Sequence, residues 1–408
     1  MKIVALVAQD LSSDGGVKTV AAFLRDVIRS SGRYDVKIIS LAASSSDSNS
    51  PRLFFPRSWF SGVTVTQHDW APDGYFHVGA NCAEFEFQRY KPRRILSELL
   101  ADCDVIQVVS GSPALGLAVS GLGKPVVLQV ATRAVIERRM LKAQGRGVAA
   151  AWRRRMTQIT DKLDDRAIRL ADVVMVENPW MMAYCQGVAN GYGTQIKYAP
   201  PGIDTSKFIP ISAGRKLSEK SAYILSVGRM QDPRKNIGLL LDAYHLLTLR
   251  MPVAPRLVLA GATPPSGAFW ERVKDYGLNS KIEFVHSPAF SELIRLYQEA
   301  TCFALPSDEE GFGMVVIESM GCAVPVVSTR SGGPDGIIED GVDGYLVPLG
   351  NAQTLADRLQ RLCSEPDLNV RMGNLAREKV VKAYARGVAG AKFLETYDDL
   401  VFKYDISR

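Results

Sequence analysis

The chain has 408 residues, 47% hydrophobic and 23% charged, with a formal net charge of +6. This is the composition of an ordinary globular protein with room for two or three domains, and no apolar run reaches the roughly 18–20 residues of a membrane span. Six cysteines without a C-x-x-C pair argue against zinc and against a disulfide framework, and fit a reducing cytoplasm.

Residues 2–7 are nearly all apolar, as in a strand buried on both faces, and read as a first strand rather than a signal peptide. Ser12 to Lys18, with Gly15 and Gly16, then leads into a helix whose Val20, Phe23, Leu24 and Val27 recur at helical spacing. Strand, diglycine turn and helix form a geometry that lets amides approach an anion, and equally a plain tight connection. Further strands are expected at Val36 to Leu41, Val63 to Gln67, Asp104 to Val109, Pro125 to Val130 and Asp172 to Glu177. The alternation with helices predicts a parallel doubly wound sheet. Its ligand rim lies at the carboxyl ends of the strands: Gln9 to Lys18, Ser110 to Ser112, Ala131 to Arg133 and Glu177 to Asn178.

The segment from Arg133 to Arg169 carries eleven Lys or Arg against four Asp or Glu, so the rest of the chain is near neutral. It reads as helical with a break near Gly145 and Gly147. Trp152 beside Arg153, Arg154 and Arg155 suits a solvated face, an anionic membrane surface or a phosphate-bearing acceptor. No nucleic-acid module accompanies the charge.

The Pro- and Gly-rich Tyr198 to Phe208, followed by the polar Ser212 to Ser221, marks a boundary. A second alternating series has strands near Ala222 to Val227, Arg256 to Ala260, Lys281 to Val285, Cys302 to Leu305, Val324 to Ser328 and Tyr345 to Val347. Its first strand ends in Gly228-Arg229, and Arg234-Lys235-Asn236 precedes a helix. Arg229 and Lys235 there could hold a diphosphate, since two bare cations at a helix start would be repelled by its dipole. Pro306 to Val327 reads as strand end, glycine loop, short helix and strand, with Glu310 and Glu318 at either end of the loop and helix. Glu318 faces an otherwise apolar helix side and needs a partner, either a polar ligand or a nearby protein group.

Together these elements resemble the retaining, nucleotide-sugar-dependent glycosyltransferases of family 4. The resemblance spans nearly the whole chain: Gly15-Gly16, Ala199 to Asp204 with Phe208, Gly228-Arg229, Lys235-Asn236, the Glu-x7-Glu element Glu310 to Glu318, Pro325 to Ser328, Ser331 to Asp335, Gly341 to Val347 and the closing helix near Val388 to Lys403. It implies an α/β chain of the GT-B class, two doubly wound Rossmann-like domains facing across a cleft. Residues 1–203 would bind the acceptor and 204–385 the donor, with a helix at 386–408 packing back on the first domain.

The implied activity is a hexosyltransferase-type transfer from a nucleotide-sugar, UDP favoured, to a hydroxyl of a glycan or lipid-linked saccharide. Arg229 and Lys235 would bind the diphosphate and stabilise its departure. Glu310 would hold the donor sugar, amides of Gly311, Phe312, Gly313 and Met314 the sugar or phosphate, and Glu318 the ribose. Gly15 and Gly16 would close over the diphosphate, and the base would lie near Val285 to Pro288. Attack is implied on the front face, the two carboxylates serving as holders rather than as the acid and nucleophile of a glycoside hydrolase. No metal or other cofactor is implied. A cytoplasmic enzyme is expected, with peripheral contact to an anionic membrane through 133–169 and no nucleic acid. The family's usual histidine after the strand Pro125 to Val130 is replaced here by Ala131 or Thr132. That substitution motivates a second reading, a nucleotide-sugar-binding protein without turnover. An epimerase of similar architecture fits the two glutamates less well.

Overall fold

The computed structural model describes residues 1–406 apart from 14, 54, 140–146 and 212–221. The break expected near Gly145 and the polar stretch Ser212 to Ser221 lie outside these described residues. The chain divides into two units, Met1–Pro201 with Ala389–Arg408, and Gly202–Val388. Each has its own sheet and its own buried core.

The first unit holds β1 (Lys2–Gln9), β2 (Tyr34–Leu41), β3 (Val65–Trp70), β4 (Asp73–Val78), β5 (Val105–Ser110), β6 (Val126–Val130), β7 (Val173–Val176) and β8 (Gln195–Tyr198). They form one sheet in the order β3-β4-β2-β1-β5-β6-β7-β8. All pairs are parallel except β3 with β4, which are antiparallel. The central strands β5, β6 and β7 are buried throughout, as apolar strands covered on both faces must be. Two strands escape a reading by apolar runs. Asp73–Val78 carries glycine and histidine, and Gln195–Tyr198 is a four-residue edge strand with little burial. The wholly parallel expectation therefore fails at one edge, where a hairpin is added to the doubly wound core.

The second unit holds β9 (Tyr223–Val227), β10 (Arg256–Gly261), β11 (Ile282–His286), β12 (Cys302–Leu305), β13 (Val326–Thr329) and β14 (Gly344–Val347). Their order is β11-β10-β9-β12-β13-β14, all parallel. The winding reverses between β9 and β12. At such a reversal the helices leave in opposite directions and open a crevice at the carboxyl ends of the two strands.

The helix Arg386–Ile406 returns the chain to the first unit. Its Ala389, Phe393, Tyr397 and Leu400 join the cluster built on β1 and the helix Gly16–Ser30, with Phe393 edge-on to Phe23 at 5.8 Å. Gly390 is needed there, because a Cβ would stand 2.6 Å from Val27 Cγ2. Among the described residues no helix is long and apolar enough to cross a membrane, and all six cysteines are free.

Candidate functional site

Two turns at the reversal of the second sheet bring the sequence candidates together. After β9 the chain passes Gly228 and Arg229 into a 3₁₀ turn, Pro233–Lys235. Asp232 caps that turn by accepting from the Arg234 amide at 3.0 Å. Asn236 then adopts a left-handed conformation, φ 42°, and its side chain caps the helix Ile237–Arg250. Asparagine tolerates both roles, the backbone turn and the cap. Asn236 Nδ2 also donates to Asp308 Oδ1 at 2.9 Å, tying this turn to the segment after β12.

That segment presents Glu310. Lys235 Nζ donates to Glu310 Oε1 at 2.5 Å, and Ser307 Oγ donates to the same oxygen at 2.7 Å. The Glu310 backbone is fixed as well, its amide donating to Ser331 O and its carbonyl accepting from Gly333, both at 2.9 Å. The lysine stem lies against Gly228, whose hypothetical Cβ would be 3.6 Å from Lys235 Cε. Arg229 reaches the same region half-exposed, with Nη2 on Asp232 Oδ2 at 2.9 Å. Arg234 bridges Asp232 to Glu309, at 2.8 and 3.1 Å. Asp232 is held below the ordinary carboxyl pKa: burial raises it, and the hydrogen bond and charge of Arg234 more than offset that. The repulsion argument from the helix dipole thus does not hold as it stands, because Asp232 neutralises the cations at this helix start.

The loop Gly311-Phe312-Gly313 turns from Glu310 into the helix Met314–Gly321. Gly313 has φ 101°, which favours glycine, while Phe312 is buried against Tyr384 at 5.8 Å and anchors the loop. Phe312 can therefore offer its backbone but not its ring to a ligand. The loop crosses Gly333 so closely that a Cβ there would stand 2.2 Å from Phe312 O. Gly333→Ala is expected to displace the Glu310 loop and to destabilise the unit by about 1–3 kcal/mol, the usual cost of overpacking. Thermal unfolding of the variant measures this, and an unchanged melting temperature would remove the close approach as a constraint.

Glu318 lies four residues into that helix and is half-buried. Its partner is Tyr297, whose hydroxyl donates to Oε2 at 2.8 Å; Oε1 accepts nothing among the described residues. Burial raises the carboxyl pKa, and the tyrosine hydrogen bond only partly opposes this. The structure thus joins Arg229, Lys235, Glu310 and the Gly311 to Met314 loop, and gives Glu318 a partner of its own. Arg234, Ser307 and Gly333 enter the sequence reading only as members of longer motifs, without a role, and Tyr297 and Asp232 do not enter it. Only Asp232, a capping type directly before proline, carried a local signal.

Gly15 and Gly16 belong to the first unit. Gly15 precedes the helix Gly16–Ser30 and its carbonyl accepts from Thr19, while a Cβ on Gly16 would meet nothing within 4 Å. The rest of the first sheet's rim is knitted together. Gly111 O accepts the amides of Ala131 and Thr132, and Asn178 Nδ2 donates to Ala131 O at 2.7 Å. At the position of the absent histidine, Gln129 Oε1 and Thr132 Oγ1 are buried without partners among the described residues.

Buried acids support this rim. Asp164, fully buried, accepts from the amides of Ala114 and Ala134 at 2.8 and 3.0 Å, and burial pushes its pKa up to about 7. Glu177 accepts from Gln129 Nε2 at 3.0 Å and is likewise raised by burial to about 7. A carboxyl raised on folding contributes stability that is complete below its unfolded value, about 4, and lost as pH climbs through 7. Glu177→Gln, which keeps the acceptor and removes the charge, is expected to gain melting temperature over wild type between pH 5 and pH 8. An equal difference at both pH values would contradict it.

Among the described residues no group of three or more His, Cys, Asp or Glu is placed to hold a metal ion. Residues 209–379 match the family described as glycosyl transferases group 1. D-inositol 3-phosphate glycosyltransferase of Corynebacterium urealyticum is 31% identical over 246 residues, 56% of this chain and 57% of that protein. The enzyme of the same name from Frankia alni is 32% identical over 211 residues, 48% of this chain and 52% of that protein. The chain thus spans about half the length of the curated relatives it matches. Sucrose-phosphate synthase from Thermosynechococcus elongatus superposes with a TM-score of 0.71 at 21% identity, covering 98% of this chain and 99% of that one. Anabaena Alr3699/HepE in complex with UDP gives 0.70 at 16% identity, covering 98% and 100%. At those identities the likeness concerns the fold. Residues 209–379, which match the glycosyl transferases group 1 family, thus lie on a chain that has the GT-B fold.

Proposed function

We propose that the protein is a retaining glycosyltransferase that moves a sugar from a nucleotide-sugar, UDP-sugar favoured, to a hydroxyl acceptor. The observation that carries this reading is the ammonium of Lys235, pinned by Glu310 at the crevice between β9 and β12. In this reading the diphosphate lies against Lys235 and Arg229, whose charge stabilises the phosphate oxygen as the glycosidic bond breaks. Glu310 orients the sugar hydroxyls with one oxygen held by Ser307 and Lys235. Glu318 receives the ribose hydroxyls on the oxygen that Tyr297 leaves open. Backbone amides from Gly311 to Met314 face the sugar or phosphate. The departing phosphate accepts the acceptor's proton on the face it leaves, which gives retention. The positive charge comes from side chains and backbone, so turnover does not require a divalent ion.

The UDP preference is supported by the UDP in the HepE structure. Relatives named for inositol 3-phosphate support a phosphate-bearing polyol as the group that accepts the sugar. The second reading, binding without turnover, is favoured by one feature: the carbonyl of Ala131, at the site of the absent histidine, is already engaged by Asn178. A panel of UDP-, GDP- and ADP-sugars separates the two. Slow donor hydrolysis with retained anomeric configuration supports the enzyme, binding without nucleotide release supports the second reading, and inverted product sinks the retaining mechanism.

A further inference from the structure

The first unit holds a pocket of about 270 Å³ that none of the donor residues lines. Its walls come from segments leaving the carboxyl ends of three strands: Ser45 after β2, Glu84 and Arg89 after β4, and Arg138 after β6. The helix Val148–Leu170 closes it with Trp152, Arg153 and Arg154.

The charges lining this pocket do not balance. Arg138 is matched by Glu86 in a bidentate pair, with Nη1 to Oε2 at 2.7 Å. Glu84 is taken up by the Leu53 amide at 3.0 Å and by Arg52 at 3.8 Å. Among the described residues Arg89 donates to the carbonyls of Ala83 and Ala43 and to no carboxylate. Arg153 and Arg154 are exposed and have no carboxylate partner among the described residues. Arg153 and Arg154 therefore border the pocket without a counter-charge, and Arg89, which feels Glu86 and Glu84 but pairs with neither, adds a third guanidinium to a donor set matched to phosphate or carboxylate oxygens. Trp152, packed edge-on to Phe85 at 5.8 Å, supplies an apolar wall beside them.

The pocket adjoins a second unusual surface. Glu84 ties it to the segment of Arg52 to Ser61, which contains two arginines and no acid. Here Phe60 is 94% exposed, Trp59 55% and Phe55 53%, and Arg52 lies over the Phe55 ring at 4.5 Å. Arg57 is exposed without a carboxylate partner among the described residues. Three exposed aromatics flanked by Arg57, and by Arg52 at the long end of a pair with Glu84, match the boundary between lipid headgroups and acyl chains: rings for the apolar layer, cations for anionic headgroups.

We propose that the pocket and this aromatic tip together bind the anionic headgroup of a lipid-borne acceptor. The tip rests in the outer layer of the bilayer, and Arg89, Arg153 and Arg154 hold the headgroup's phosphate or carboxylate. The proposal rests on the reading that the first unit takes the acceptor, and it names that acceptor's class. It also moves the membrane contact expected from 133–169 onto two elements, of which only one belongs to that segment.

The test uses the full chain and phosphatidylcholine vesicles with and without phosphatidylglycerol, read by flotation. Wild type is expected to bind the phosphatidylglycerol vesicles, less so as salt is raised. Arg153→Ala and Arg154→Ala should each weaken that binding about fivefold. Phe60→Ser, or Trp59→Ser as a second exposed site, should weaken it at least about tenfold. Calorimetric titration with glucose 6-phosphate is the soluble arm. Affinity for it without vesicle binding would make the ligand a free anion and overturn the proposal, as would wild-type vesicle binding in all four variants or no binding by wild type. UDP titration of the same samples keeps the donor reading separate: loss of UDP binding would count against that reading while leaving the vesicle result to stand or fall alone.

Discussion

Lys235→Ala is expected to lower turnover at least about tenfold, the equivalent of about 1.4 kcal/mol of transition-state stabilisation. The expectation follows from how fully the ammonium is positioned. Its stem lies against Gly228, its nitrogen is on Glu310 Oε1 at 2.5 Å, and that oxygen is itself held by Ser307. A charge placed beforehand needs no reorganisation when negative charge builds on the departing diphosphate, and removing one such donor commonly costs more than tenfold. The substitution also strips Glu310 of its counter-charge, so the sugar holder is disturbed with the phosphate holder. Lys235→Arg should not restore activity, because the planar fork cannot occupy the place of a point charge beside Gly228. Initial rates with the best donor of the panel, alongside a melting curve, check this. Near-wild-type turnover in a folded Lys235→Ala protein would sink the assignment.

Much of this architecture could be read from apolar runs. The strands legible in this way are mostly those buried on both faces, where burial writes itself into composition. What escapes is β4, one strand in from an edge, and the edge strand β8: neither is fully buried, and their sequences follow no apolar run. In the candidate site the same division appears. The glycine loop and helix after Glu310 were legible, since positive φ at Gly313 and the spacing to Glu318 are local facts. The pairing of Lys235 with Glu310 joins residues 75 apart in sequence and was reachable only through the family resemblance, which placed both against the donor. Tyr297 illustrates the limit. It stands 21 residues before Glu318, on the helix Phe290–Glu299, and no helical spacing connects the two. The expectation that Glu318 needs a partner was sound physics, but the first partner proves to be a phenol of the same unit.

That phenol makes Glu318 testable by pH. Burial raises its pKa, and Tyr297 donates to one oxygen only. Ribose hydroxyls donating to Oε1 favour the ionised carboxylate, so nucleotide binding lowers the pKa that burial has raised. Linkage then fixes the sign: UDP affinity should climb as pH rises through the raised pKa of the free protein and level off above it. Tyr297→Phe removes a hydrogen bond that opposes the upward shift, while keeping the buried ring. Its midpoint should therefore move to higher pH. Glu318→Ala should lose the pH dependence together with at least about tenfold in turnover. Calorimetric titration of UDP from pH 5 to pH 8 on the three proteins distinguishes these outcomes. A pH-independent affinity in wild type would mean that the ligand does not meet this carboxylate. A midpoint unmoved in Tyr297→Phe would mean that the phenol does not set its charge. If both shifts appear, the tyrosine has a role beyond satisfying a buried acid: it holds one oxygen, lowers the cost of ionisation and leaves the other oxygen aimed at the ribose.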